Sequence, residues 1–229
     1  MAIRTTTQQQ RWLISFERDE PALAMRDADI VRGFETALTE AALPLSRTTS
    51  SRPRPRLRLA ASLPAGVVGE RELLEVYLDE PVDPDRVRAA AELVPSGLTV
   101  TDVRRQRSSA PSAASRVRHA DYEVRVESDS PIVDTELRDA VRRLVRAPAL
   151  PGRRRRGPTE RRTDAGARDL RPLVEAVDVV EVDGTSALLS VRLRIGRSGA
   201  GRPDDVVSAL GLPLRVVSVR RRPLEFVDR

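Results

Sequence analysis

Short runs in which every second residue is apolar recur along this chain, and two helical stripes fall between them in each half. Trp12, Ile14 and Phe16 alternate with Arg11, Leu13 and Ser15, which predicts a strand with one apolar face. Asp27 or Asp29 can cap a helix whose stripe is Ile30, Phe34, Ala37, Leu38 and Ala41, and Pro44 ends it. A second strand is expected over Arg56 to Leu63 and a third over Leu74 to Leu78. Asp83-Pro84 supplies an N-cap followed by proline at the first helical position, and Val87, Ala91 and Val94 carry that helix's stripe. Pro95-Ser96-Gly97 ends the helix, and Leu98 and Val100 begin a fourth strand. The order is strand, helix, strand, strand, helix, strand, the pattern of a ferredoxin-like plait.

The second half repeats it. Tyr122, Val124 and Val126 alternate, and Leu137, Ala140, Val141 and Leu144 form a helical stripe after Asp134 or Thr135. Val177 to Val182 lead into Asp183-Gly184, a hairpin signal, and Leu189 to Ile195 return. Pro203 opens a short helix that Gly211 caps, and Leu214 to Val219 closes the sheet. The expected fold is α+β, with two tandem ferredoxin-like (βαββαβ) units. The first covers residues 1–103 and the second 119–229, joined by a linker at 104–118, RRQRSSAPSAASRVR, that has no apolar period.

Composition narrows the chemistry. The chain has 40 cations, all arginine, against 34 acids. The absence of cysteine removes disulfides, thiolate metal sites and cysteine nucleophiles, and a lone His119 removes the paired imidazoles of most metalloenzymes. No cofactor and no metal are therefore expected. No apolar run approaches the ~20 residues that cross a bilayer, and Met1 to Gln10 lack a hydrophobic leader core, so the expected setting is cytoplasmic, with no membrane.

The charge is concentrated. Arg142 to Arg171 holds 11 arginines against three acids, and Arg153, Arg154, Arg155 and Arg156 lie between Pro151-Gly152 and Gly157-Pro158, with Arg161 and Arg162 beyond. A loop of this kind can follow a phosphate backbone; the alternatives are a solvated loop and a surface for an acidic protein. A second group is Arg47, Arg52, Arg54, Arg56 and Arg58, where Pro53 and Pro55 hold the chain extended and Arg56 and Arg58 share one side of the expected strand. Such a row suits phosphates, and it equally suits an edge strand protected by charge and proline. Aromatic residues make up 3% of the chain, and Trp12, Phe16, Tyr77 and Tyr122 do not form the stacking motif of an RNA recognition module. Trp12 and Phe16 are expected in the core. Contacts to RNA would then fall on phosphates and shape.

The stretches IVRGFETALTEAALPL (from Ile30), RPRPRLRLAASLPAGVVGERELLEVYLDEPVDPDRV (from Arg52) and ERRTDAGARDLRPLVEAVDV (from Glu160) resemble the radical SAM-linked family of uncharacterised bacterial proteins. The resemblance implies an RNA-related or ribosomal setting beside a radical SAM enzyme and an E/G-type ribonuclease. It departs from that family at two places. Arg26-Asp27-Ala28-Asp29 stands where the family has Ser-His-x-Asp, and Ser50-Ser51 stands where it has Gly-Phe.

The reading is a non-catalytic RNA-binding or adaptor protein that works with a radical SAM enzyme. Its rivals are an RNA-processing or RNA-modifying enzyme, whose acid–base candidates would be His119, Asp29, Asp164 and Tyr122, and a pure protein-docking module.

Overall fold

Trp12, Ile14 and Phe16 fold as expected into β1 (Gln10–Arg18), and the helix after Asp27 is α1 (Asp27–Glu40). Asp29 helps to fix that start by accepting a hydrogen bond from the Arg26 N–H at 3.0 Å. Then come β2 (Leu57–Leu59), β3 (Val67–Leu78), α2 (Pro84–Ala91), β4 (Leu98–Gln106) and the helical turn α3 (Ala113–Arg116). In the second half lie β5 (His119–Glu127), α4 (Asp134–Arg146), β6 (Val174–Asp183), β7 (Ser186–Gly196), β8 (Gly199–Ala200), α5 (Pro203–Ala209) and β9 (Arg215–Arg221). The structure is a computed structural model, and it describes residues 9–151, 169–196 and 199–227. The chain is mixed α/β and divides into two compact units, residues 1–117 with 223–229, and residues 118–222.

In the first unit the strands lie in the order β4-β1-β3-β2, all pairs antiparallel. Trp12, Ile14, Phe16, Leu74, Val76 and Leu78 pack with Ile30, Phe34 and Leu38 of α1 and with Val87 and Ala91 of α2. Phe16 meets Phe34 edge-on, with ring centroids 5.1 Å apart. Asp83 caps α2 by accepting from the Asp85 N–H at 2.9 Å, and proline stands at the first helical turn, as its sequence signal requires.

β2 is shorter than the stretch from Arg56 to Leu63. Pro55 brings no N–H to the ladder, and the Leu63 N–H turns away to the Asp27 Oδ1 at 2.9 Å. β3 begins seven residues before the expected Leu74, because Glu72 and Glu75 are buried and obscure the alternation.

The stretch 104–118 is not free of structure. It completes β4, turns, and lays α3 against β3 on the side of the sheet away from α1 and α2. Two charged residues anchor it. Arg11, 8% exposed, donates to the carbonyls of Arg107, Ala110 and Pro111, and Glu75, 1% exposed, accepts the Ala113 N–H at 2.9 Å. Residues 223–227 return to the same unit. Leu224 and Arg71 exchange hydrogen bonds, the Val227 N–H donates to the Arg116 carbonyl at 3.0 Å, and Arg116 lies over the Phe226 ring.

In the second unit the order is β9-β5-β7-β6, again antiparallel. α4 packs on β6 and α5 on β9. Gly184 takes φ +58 in the β6–β7 turn, where the sequence carries its hairpin signal, and Gly211 takes φ +71 just after α5, the helix it is expected to cap.

Candidate nucleic-acid interface

Residues 45–59 build a braced hairpin on the β3 edge. Leu45 bridges Leu78 and Arg47 bridges Pro55, while the Ser46 N–H donates to the Tyr77 carbonyl at 2.8 Å. The Ser46 hydroxyl is buried, donates to Asp79 and accepts from the Gln9 amide at 3.0 Å. Toward the tip, Thr48 and Arg54 pair through the Thr48 N–H to the Arg54 carbonyl at 2.9 Å and the Arg54 N–H to the Thr48 hydroxyl at 3.1 Å. Pro53 and Pro55 restrict φ on the return arm.

This scaffold exposes Arg47, Arg52, Arg54, Arg56 and Arg58. Leu57, between the last two, and Leu59, just after them, pack against the core, so Arg56 and Arg58 share the outward side as expected. No acidic residue occurs between Glu40 and Glu70. Among the described residues none of the five guanidinium groups has a carboxylate partner. Arg47 donates to the Pro53 carbonyl at 3.3 Å, and Arg56 lies over the Tyr77 ring at 3.9 Å from its centroid. Arg54 also borders an open groove of about 500 Å³ whose other walls are Arg32, Glu35, Thr36, Thr39 and Glu40 of α1. The two glutamates there make that side poor for a polyanion.

The sheet faces offer less. In the first unit, residues 107–113 lie over Arg11 and Glu75 on the side away from the helices. In the second, the outward arginines meet carboxylates across the strands. Arg192 holds Asp121 through two bonds at 2.7 and 2.9 Å, Arg194 reaches Glu175 at 3.2 Å, and Arg215 reaches Glu127 at 2.7 Å. Exposed pairs of this kind contribute about 0.2–1 kcal/mol each and leave little free positive charge. No aromatic ring joins them, since Tyr122 is buried.

The acid–base candidates are dispersed. His119 sits 3.8 Å from Glu175, Asp29 caps α1 and lies 3.6 Å from Arg32, and Tyr122 is a core residue; Asp164 lies outside the described residues. No group of three metal-binding side chains comes together among the described residues. Among the same residues, no helix is long and apolar enough to cross a membrane.

Arg153, Arg154, Arg155, Arg156, Arg161 and Arg162 also lie outside the described residues. The chain on either side of them is joined. Pro151 bridges Asp169, the Leu170 N–H donates to the Leu150 carbonyl at 2.8 Å, and the Asp169 Oδ1 accepts from the N–H groups of Leu150 at 2.7 Å and Arg171 at 2.9 Å. Those donors hold the Asp169 carboxyl below its ordinary value, the Leu150 N–H contributing most.

Two features escaped the sequence reading. Tyr77 lies under Arg56 only because β2 pairs with β3 in a register that sets Leu57 opposite Val76. The Arg11–Glu75 pair, with its Nε to Oε1 distance of 3.7 Å, likewise depends on the β1–β3 register. Neither register is written in local sequence.

Residues 11–203 match the family described as "Uncharacterized protein conserved in bacteria" (DUF2344), and the chain belongs to that family. No curated protein matches the sequence. Among solved structures, similarity is found to a chain in the structure of an H/ACA RNP bound to a substrate RNA containing 2'-deoxyuridine. That match has a TM-score of 0.53 and 12% identity, over 98% of this chain and 50% of the other. A chain of a Cbf5-Nop10-Gar1 complex gives a TM-score of 0.49 and 13% identity, over 96% of this chain and 50% of that one. The protein thus spans about half the length of these two chains. The first likeness is one of fold.

Proposed function

We propose that this member of the family is a non-catalytic RNA-binding or adaptor protein, built from two tandem ferredoxin-like units, that holds RNA by its phosphate backbone. The observation that carries the reading is the braced hairpin at residues 45–59, with five exposed arginines and no carboxylate partner among the described residues. Guanidinium forks fit phosphate oxygens, and a scaffold that already holds them apart lowers the entropy lost on binding. The strand orders β4-β1-β3-β2 and β9-β5-β7-β6, each with two helices between its strands, support the ferredoxin-like assignment. A chain of like fold in a ribonucleoprotein structure that contains RNA agrees with the proposal. A radical SAM enzyme acting on RNA or ribosomal components is the proposed companion, and only the sequence resemblance supports it.

The test is an electrophoretic shift series over salt with a short single-stranded RNA, on the wild type and an Arg52→Ser, Arg54→Ser, Arg58→Ser variant. Each neutralised phosphate contributes a slope of roughly −0.7, so the variant should bind more weakly with a slope flatter by about 2 units. Thermal unfolding should move by no more than about 0.5 kcal/mol, since the charges are exposed. Absence of wild-type binding at near-physiological salt, or an unchanged slope in the variant, would refute the proposal. Retained RNA binding with loss of an acidic protein partner would favour the docking alternative.

A further inference from the structure

Arg56 differs from the other hairpin arginines in how it is held. Both of its backbone polar groups are engaged, the N–H to the Ser46 carbonyl at 2.7 Å and the carbonyl by the Tyr77 N–H at 3.3 Å. Its guanidinium lies over the Tyr77 ring, 3.9 Å from the centroid, and Tyr77 is half-buried in β3. One face of the cation is therefore occupied by an aromatic ring whose own position is set by the sheet. The residue is exposed, and its outer face and edge N–H groups have no protein partner among the described residues.

We infer that Arg56 is a stacking platform for one unpaired base, so that the RNA taken by this hairpin is single-stranded. The inference rests on the RNA-binding reading above and adds the strand class and the residue that selects it. Three physical points carry it. Bases splayed out of single strands stack on guanidinium planes as well as on aromatic rings, whereas bases inside a duplex are shielded by their neighbours. The ring beneath Arg56 holds the plane before the ligand arrives, which reduces the ordering cost of binding. Arg58 stands two residues along the same side of the strand, about 6.7 Å away by strand rise, the scale of one nucleotide step in an extended single strand. A base on Arg56 would then bring a neighbouring phosphate to the Arg58 guanidinium. The scarcity of strand aromatics, which argued against a base-stacking sheet, does not oppose this arrangement, because the plane is supplied by arginine and the aromatic ring sits beneath it.

The experiment uses the full chain and three probes: a single-stranded RNA carrying one 2-aminopurine, the same RNA annealed into a duplex, and an abasic strand of equal length. Arg56→Lys keeps the charge and removes the plane; Arg58→Lys is its control. The wild type should favour the single strand over the duplex and quench 2-aminopurine emission on binding. Arg56→Lys should lose the quenching and weaken single-strand affinity at least about fivefold, as expected for one lost stack, with the salt slope and the abasic affinity unchanged. Arg58→Lys should keep the quenching. Tyr77→Leu, checked for native unfolding, should reproduce the Arg56→Lys result. If RNA binds but Arg56→Lys quenches and binds like the wild type, or if the duplex binds as well as the single strand, the platform is overturned and backbone binding stands. If the wild type binds none of the three probes, both readings fall together.

Discussion

Removing the Glu75 carboxylate should cost the first unit far more than its single side chain suggests. Glu75 is 1% exposed and accepts the Ala113 N–H at 2.9 Å, while its other neighbours are Arg11, 8% exposed, and the Tyr77 hydroxyl, which donates to its Oε2 at 3.5 Å. Glu75→Ala would leave a buried guanidinium with carbonyls alone and the Ala113 N–H unpaired. Loss of one partner from a buried ion pair costs about 3–5 kcal/mol. The Arg11 Nε stays 3.7 Å from the carboxylate and makes no hydrogen bond, so the lower end, about 3 kcal/mol, is the better figure. The single tryptophan of the chain, Trp12, is buried in this unit, so its fluorescence follows the unfolding of this unit directly. At a urea dependence of about 2 kcal/mol per molar, the midpoint should fall by about 1.5 M. Replacing both partners, Arg11→Leu with Glu75→Leu, should recover most of the loss, because the desolvation of both charges disappears with them. The reasoning fails if Glu75→Ala moves stability by less than about 1 kcal/mol, or if the double replacement loses as much as the two single ones together.

Two further outcomes are expected. The Asp169 carboxyl, held low by the N–H groups of Leu150 and Arg171, should titrate by NMR below the ordinary value of about 3.9; its contribution to the joined chain at 150 and 169–171 is then complete above that pH and fades as the pH falls through the native-state value. A titration at or above 3.9 would show that those bonds do not form in solution. Replacing Arg153 to Arg156 by Ser should flatten the salt dependence of RNA binding by about 2 to 3 units and move stability by no more than about 0.5 kcal/mol; an unchanged slope would remove that segment from the RNA site.

The order of elements could be read from the chain because each carried a local signal. Asp83-Pro84 started α2 at the expected residue, and the Trp12, Ile14, Phe16 alternation placed β1 and the side that packs on the helices, although Arg11, Leu13 and Ser15 on its other side are buried as well. Local pattern no longer marks an element where burial reverses the usual preference of a residue. β3 has five consecutive buried residues from Glu72 to Val76, two of them glutamates, so alternation did not reveal its first half. The segment after Gln106 looked like a linker because its Arg, Ser and Ala residues suit water. What holds it is a pair of charges on strands far away in sequence. The arginine row itself was legible as composition and spacing. That Arg56 rests on a ring was not, because it depends on which residue of β3 lies beside it.

The return of residues 223–227 to the first unit has a consequence for synthesis on the ribosome. Leu224 and Val227 supply hydrogen bonds to Arg71 and Arg116, and Phe226 receives the Arg116 side chain, yet all three follow the whole second unit in the chain. At roughly 5–20 residues per second, the first unit waits on the order of 5–20 s between emergence of its main body and arrival of its last contacts. During that interval Arg71 in β3 and Arg116 at the end of α3 lack these contacts. A ribosome that stalls late, or a protease that trims the tail, would leave its mark on the half of the protein that was made first.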